Sequence, residues 1–288
     1  MCFCPLAMSS LQNALITATA MGTACALLSV FVVLRRWAFI GEGIAHAGFG
    51  GAGTAWILAL LFPSASFLSS QQGVYSVAVL FCICTAIGIG YVTRNEHVRT
   101  DTAIGIFLVA ALAWGFIAYG IYSHVRAAAT PPGWDEYLLG HMSQLSPAYT
   151  AASLAICAIV LLVTLGLRKE IVAYCFDPTL AAVSGVPVRF IHYLLIVLVA
   201  ITIIAGMRLM GTLLVTALLV LPGATALLLS RRIGIVLASS ATVGLIAAVA
   251  GTLVSDHWRF ILEGPAIVVM LVLQFAAVYF YRSAIKPR

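Results

Sequence analysis

The chain has 288 residues, of which 63% are hydrophobic and 8% charged, with a mean hydropathy of +1.12. Soluble domains carry about 25% charged residues, so a water-soluble globule is excluded and 1–288 reads as a single membrane-embedded domain. The formal net charge of +6 reads as membrane topology, not as nucleic-acid binding.

A spanning helix needs about 20 mostly apolar residues. Runs of that kind lie near 11–34, 43–62, 75–93, 102–122, 147–167, 190–206, 209–230, 234–254 and 262–281. The start, Met-Cys-Phe-Cys-Pro, lacks the basic region of a signal peptide, so the first run is expected to stay as a helix. Pro222 should kink or interrupt the seventh run. The fold class is all-α, a polytopic bundle of eight or nine transmembrane helices; eight with one re-entrant piece is the alternative to nine.

Basic residues orient the layout. With the N-terminus outside, the inner connections hold Arg35, Arg36, Arg94, Arg99, Arg168, Lys169, Arg189, Arg231, Arg232, Arg282, Lys286 and Arg288. The outer ones hold only Arg126, Arg208 and Arg259. The positive-inside rule predicts this bias, with the C-terminus inside.

At the second run stands Glu42-Gly43-Ile44-Ala45-His46. Helical residues four apart share a face, so carboxylate and imidazole can address one point. An ionisable group at membrane depth costs roughly 2.5–3.5 kcal/mol on insertion scales and marks a functional site by default. Oxygen and nitrogen donors suit a divalent metal ion; a buried pair that packs two helices is the plainer alternative. About a two-fold axis, two copies would supply two Glu and two His. The following Gly48-Phe49-Gly50-Gly51-Ala52-Gly53 reads as close helix packing, with unwinding beside a cavity as the alternative.

Further along, His97 reads as a surface residue. His124 and His141 flank the longest outer connection, about 123–146, and could face a partner. The longest inner connection, about 168–189, carries a compact pattern: Asp177 as N-cap, Pro178 at N1 and Gly185 as stop. This short helix is either a docking element or an ordinary interfacial one. Asp256 and His257, with Glu263, mark an outer helix end; they could receive a cation at an entrance, or simply be a polar membrane boundary. Cys82-x-Cys84 sits in an apolar run and reads as packing.

No G-x-x-x-x-G-K-[ST] loop is present, so the chain is not expected to hydrolyse ATP by that route. Hydrolase and metalloprotease signatures are also absent. A transport subunit fits better than an enzyme.

Four stretches, in order, resemble one family. Phe39 to Ala47 is similar to its G-D-A-[LI]-[SA]-H-A segment, and Asp101-Thr102-Ala103-Ile104-Gly105-Ile106 to its D-T-A-I-G-I segment. Phe176-Asp177-Pro178 through Gly185-Val186-Pro187 is similar to its cytoplasmic coupling segment, about 174–188 here. Met210 to Ala226 is similar to its V-G-x-L-L-V-x-A-L-L-x-x-P-A-A-T-A segment. The family is the membrane permease of ATP-binding cassette importers for zinc, manganese and iron. The resemblance implies a type II importer fold in the cytoplasmic (inner) membrane of a bacterium, with no permanent cofactor. It implies a second permease chain, identical or paired, cytoplasmic subunits that bind ATP, and an extracytoplasmic metal-binding protein. It places the metal on Glu42 and His46 and ATPase coupling on Phe176, Asp177, Pro178 and Gly185. Glu42 departs from the family's Asp by one methylene, which bears on metal preference. A proton-driven secondary cation transporter is the alternative function; a non-transporting scaffold or enzyme is a further one.

Overall fold

A lipid-exposed backbone has no water to bond, so long apolar runs must close their hydrogen bonds as helices. The computed structural model describes residues 10–63, 66–94, 98–126, 147–258 and 262–285, and their regular structure is entirely helical. In chain order the elements are α1 (Ser10–Leu34), α2 (Ile40–Leu61), α3 (Ser66–Ser69), α4 (Gln71–Arg94) and α5 (Thr100–Val125). Then come α6 (Pro147–Gly166), α7 (Arg168–Phe176), α8 (Pro178–Val183), α9 (Val188–Met210) and α10 (Thr212–Leu218). The chain closes with α11 (Leu221–Leu229), α12 (Ile233–His257) and α13 (Glu263–Ile285).

Among the described residues, 8 segments are long and apolar enough to cross a membrane, and Ser153–Gly166 within α6 is a shorter apolar helix. The nine expected runs are therefore all present as helix, the fifth as the 20 residues of α6. The seventh is interrupted, as Pro222 demanded. Gly211, at φ 80°, ends α9. The i−4 ladder then runs only to the Leu219 N–H bond to Val215 O, and resumes with Ala224 N–H to Val220 O. Pro222 sits in the first turn of α11, where its missing N–H costs nothing.

α2 lies against α4, α5 and α9, and its glycines explain how. A Cβ at Gly51 would stand 2.6 Å from Ala78 Cα and 2.8 Å from Phe81 Cβ, both on α4. At Gly50 it would stand 2.8 Å from the Ala111 carbonyl of α5. The glycine run is thus a packing device that lets backbones touch. Replacing Gly51 by Ala should destabilise the protein by about 1–3 kcal/mol, because α4 backbone must move. Gly105→Ala, with nothing within 4 Å of the new methyl, should not. Thermal unfolding in detergent compares the two; equal melting would contradict the packing account.

α1 and α12 use the same device. Gly22 and Gly244 face each other, and Ser240 Oγ donates to the Ala26 carbonyl at 2.5 Å beside Ser29. α5 and α13 bury least and present residues such as Ile117, Val269 and Phe280 outward. Arg35, Arg94, Arg99 and Arg189, from three different inner connections, line one cavity. These four of the basic residues assigned to one side therefore share one end of the bundle.

Candidate functional site

α2 begins at Ile40, three residues before the start expected from hydropathy, so Glu42 lies in its first turn and His46 one turn on. His46 Nε2 and Glu42 Oε1 are 2.8 Å apart. A carboxylate only accepts, so Nε2 carries the proton it donates. The side chains retain 28% (His46) and 46% (Glu42) of their accessible surface, and neither makes another hydrogen bond to a described residue. The pair belongs to the one stripe of α2 that its neighbours leave open.

Its depth differs from expectation. Gly43 packs against Ile89 of α4 and Ile104 of α5, each five residues from the Arg94 and Arg99 ends of those helices. At 1.5 Å per residue, that is about 7 Å from the basic end of the bundle. A group so close to an end bears less than the mid-membrane penalty. Gly41 meets Thr216 of α10, just beyond the Gly211 break, so the broken segment closes the neighbouring wall.

Among the described residues, no group of three or more His, Cys, Asp or Glu is assembled. The described residues thus offer two donors at this point, not a complete set. Cys82 is buried and donates to the Ile44 carbonyl at 3.4 Å, a packing contact between α4 and α2. Asp256 and His257 are exposed at the end of α12, with His257 against Trp258. Glu263 at the start of α13 lies near Asp256, but among the described residues no group of three or more ligands forms. His124 is exposed near the end of α5; His97 and His141 lie outside the described residues.

The inner connection folds as its residues dictate. Asp177 Oδ1 accepts from Thr179 N–H at 2.8 Å and Leu180 N–H at 3.0 Å, Pro178 opens α8, and Gly185 stands at φ +84°. Val186 N–H bonds Ala181 O and Gly185 N–H bonds Ala182 O, which closes a Schellman turn. The same turn recurs at Arg36, φ 57°, between α1 and α2. Phe176, Leu180 and Val183 are exposed, at 67%, 64% and 83%, an apolar patch at the charged end of the bundle.

His192 and Tyr174, which the residue pattern did not single out, and Arg35, read there only as a topology marker, tie this connection to α2. His192 is buried on α9. Its Nε2 lies 3.1 Å from Gly90 O, so it must donate there, and its Nδ1 accepts from the Tyr174 hydroxyl at 2.6 Å. Burial pushes that hydroxyl up to about 12, against the pull of Arg35, so it stays a donor. The Arg35 guanidinium sits 4.4 Å over the Tyr174 ring, and Trp37 packs edge-on against His192. Tyr174 is two residues from Phe176, and Trp37 three from the start of α2.

Comparison with known proteins bears on these features. A model of the ABC 3 transport family matches residues 7–282. A chelated iron transport system membrane protein, YfeD, of Yersinia pestis is 34% identical over 283 residues, spanning 98% of this chain and 89% of that one. A manganese transport system membrane protein, MntC, of Halalkalibacterium halodurans is 33% identical, spanning 96% and 88%. The solved structure of PsaBC from Streptococcus pneumoniae in complex with Fab superposes with a TM-score of 0.75 at 29% identity, covering 95% of this chain and 92% of that chain.

Proposed function

Because the chain belongs to the ABC 3 transport family, we propose that it is the permease subunit of an ATP-driven importer, and that Glu42 and His46 handle the ion in transit. The observation that carries this is the Glu42–His46 couple itself: two complementary donors 2.8 Å apart, partly open, on an otherwise apolar helix. The cargo is manganese or iron, as the names of the relatives suggest; oxygen-plus-nitrogen donor sets accept both, and zinc as well. Two donors per chain make a second permease chain, identical or paired, the natural source of the rest. Ligands split across such an interface separate when the chains move, which lets the ion leave. Capture on Nε2 would displace the proton now shared with Glu42.

ATP hydrolysis belongs to partner subunits docked on the exposed patch around Phe176, Asp177, Pro178 and Gly185. The contacts from Tyr174 through His192 to Trp37 support this reading, since they link the segment just before the docking helix to the residues just before α2. An extracytoplasmic metal-binding protein would deliver the ion, with Asp256 and His257 as an entrance. The chain is a multi-pass membrane protein, and the bacterial inner membrane is its proposed place.

Vesicles containing the permease and its ATPase test the assignment. Uptake of radioactive manganese or iron is expected to need both ATP and the ATPase; uptake persisting without an ATPase would favour a proton-driven carrier instead. The Tyr174–His192 link has its own test. Tyr174→Phe leaves His192 Nδ1 unpaired, at about 1–3 kcal/mol. It should lower transport per ATP several-fold while metal binding to the assembled complex is unchanged. An unchanged ratio would remove the link from the mechanism.

A further inference from the structure

The four-arginine cavity is not explained by the ion site assigned to Glu42 and His46. It measures about 290 Å³, and Arg35, Arg94, Arg99 and Arg189 line it together with Thr93 and Thr100. Tyr174 and His192 contribute to its wall, and Pro178 of the docking helix to its rim. Among the described residues no carboxylate lines it, and none of the four arginines is ion-paired. Arg35 is half-buried and Arg94, Arg99 and Arg189 are exposed around the same cavity, and cationic side chains gathered at one cleft favour an anion there. One donor is already waiting: Arg35 Nε is buried with no hydrogen-bond partner among the described residues. Planar guanidinium forks match the oxygens of a phosphate group. The volume lies at the small end of ligand sites, enough for a headgroup-sized anion.

Position selects the source. The cavity opens at the ends of membrane spans. Tyr91, three residues before Arg94, and Phe190, directly after Arg189, are 66% and 59% exposed. Aromatic side chains at that level mark the lipid interface, and basic clusters on the inner side attract anionic lipid. We propose that this cavity binds the phosphate group of an acidic phospholipid from the inner leaflet. The bound phosphate bridges the ends of α1, α4, α5 and α9 beside the docking helix. The proposal is independent of the ion assigned to Glu42 and His46, and its readout is not transport.

The purified full-length chain in mixed micelles is titrated with phosphatidylglycerol, with phosphatidylethanolamine, and with inorganic phosphate, and thermal unfolding is followed. Phosphatidylglycerol should raise the melting temperature of the wild type and phosphatidylethanolamine should not. Arg94→Gln combined with Arg189→Gln should raise the half-maximal lipid concentration roughly tenfold or more. Arg231→Gln combined with Arg232→Gln, the same charge change elsewhere, should leave it unmoved. Arg99→Gln, an exposed single change, serves if the double variant does not purify. Stabilisation by inorganic phosphate alone would overturn the lipid source and leave a soluble phosphate in the cavity. Equal lipid response in both double variants, or none in the wild type, would overturn the site. So would weaker binding of the ATPase with no phosphate or lipid effect, which would assign the arginines to a protein partner.

Discussion

Glu42→Ala and His46→Ala should each reduce ATP-dependent metal uptake at least about 10–100-fold, to the level of vesicles lacking the permease. Removing even an outer-sphere partner of a metal ligand costs that much, and here a donor atom itself is lost. Loss of either residue also breaks the 2.8 Å contact that now satisfies both side chains. Yet neither is fully buried, so truncation leaves no deeply isolated charge and the chain should still fold and reach the membrane. That separation makes the experiment decisive: membrane content by immunoblot, uptake by isotope. Wild-type uptake in both variants would take the couple out of the pathway.

Replacing Gly185 by Pro should lower metal moved per ATP hydrolysed by more than about tenfold, with hydrolysis by the partner subunits retained. Gly185 occupies φ +84° and donates its N–H to Ala182 O. Proline fixes φ near −65° and has no N–H, so the turn that ends α8 cannot form. Sterics play no part, because nothing lies within 4 Å of a Cβ built there. Ala at the position meets only the left-handed penalty, roughly 1–2 kcal/mol, and should be intermediate. Asn, which tolerates that conformation, should be close to wild type. A proline variant with an unchanged transport-to-ATP ratio would dismiss α8 as the docking helix.

Much of this could be read from the residues because it is governed locally. The Asp177-Pro178 start and Gly185 stop of α8 follow from capping chemistry within nine residues, and the structure has them. Four-residue spacing alone put Glu42 and His46 on one face. Pro222 announced the interruption before α11, since its effect falls on the four residues preceding it. What escaped was set at long range. Tyr174, His192 and Gly90 meet across 18 and 102 residues of chain, and no local period signals such a meeting. The four cavity arginines entered the sequence argument only as topology markers; that they converge depends on how α1, α4, α5 and α9 end together. The depth of the pair also depended on neighbours, through the Gly43 contacts to Ile89 and Ile104. Hydropathy placed the start of α2 late because Gly41, Glu42 and Gly43 lower the local average, although the helix accepts them.

The most direct measurement is anomalous scattering from the assembled transporter, permease with ATPase, prepared with manganese. One peak is expected within bonding distance of a Glu42 carboxylate oxygen and a His46 ring nitrogen, completed by donors from a second chain. A manganese-saturated complex that keeps the Glu42–His46 bond intact, with no peak beside it, would contradict the assignment of the ion to this couple.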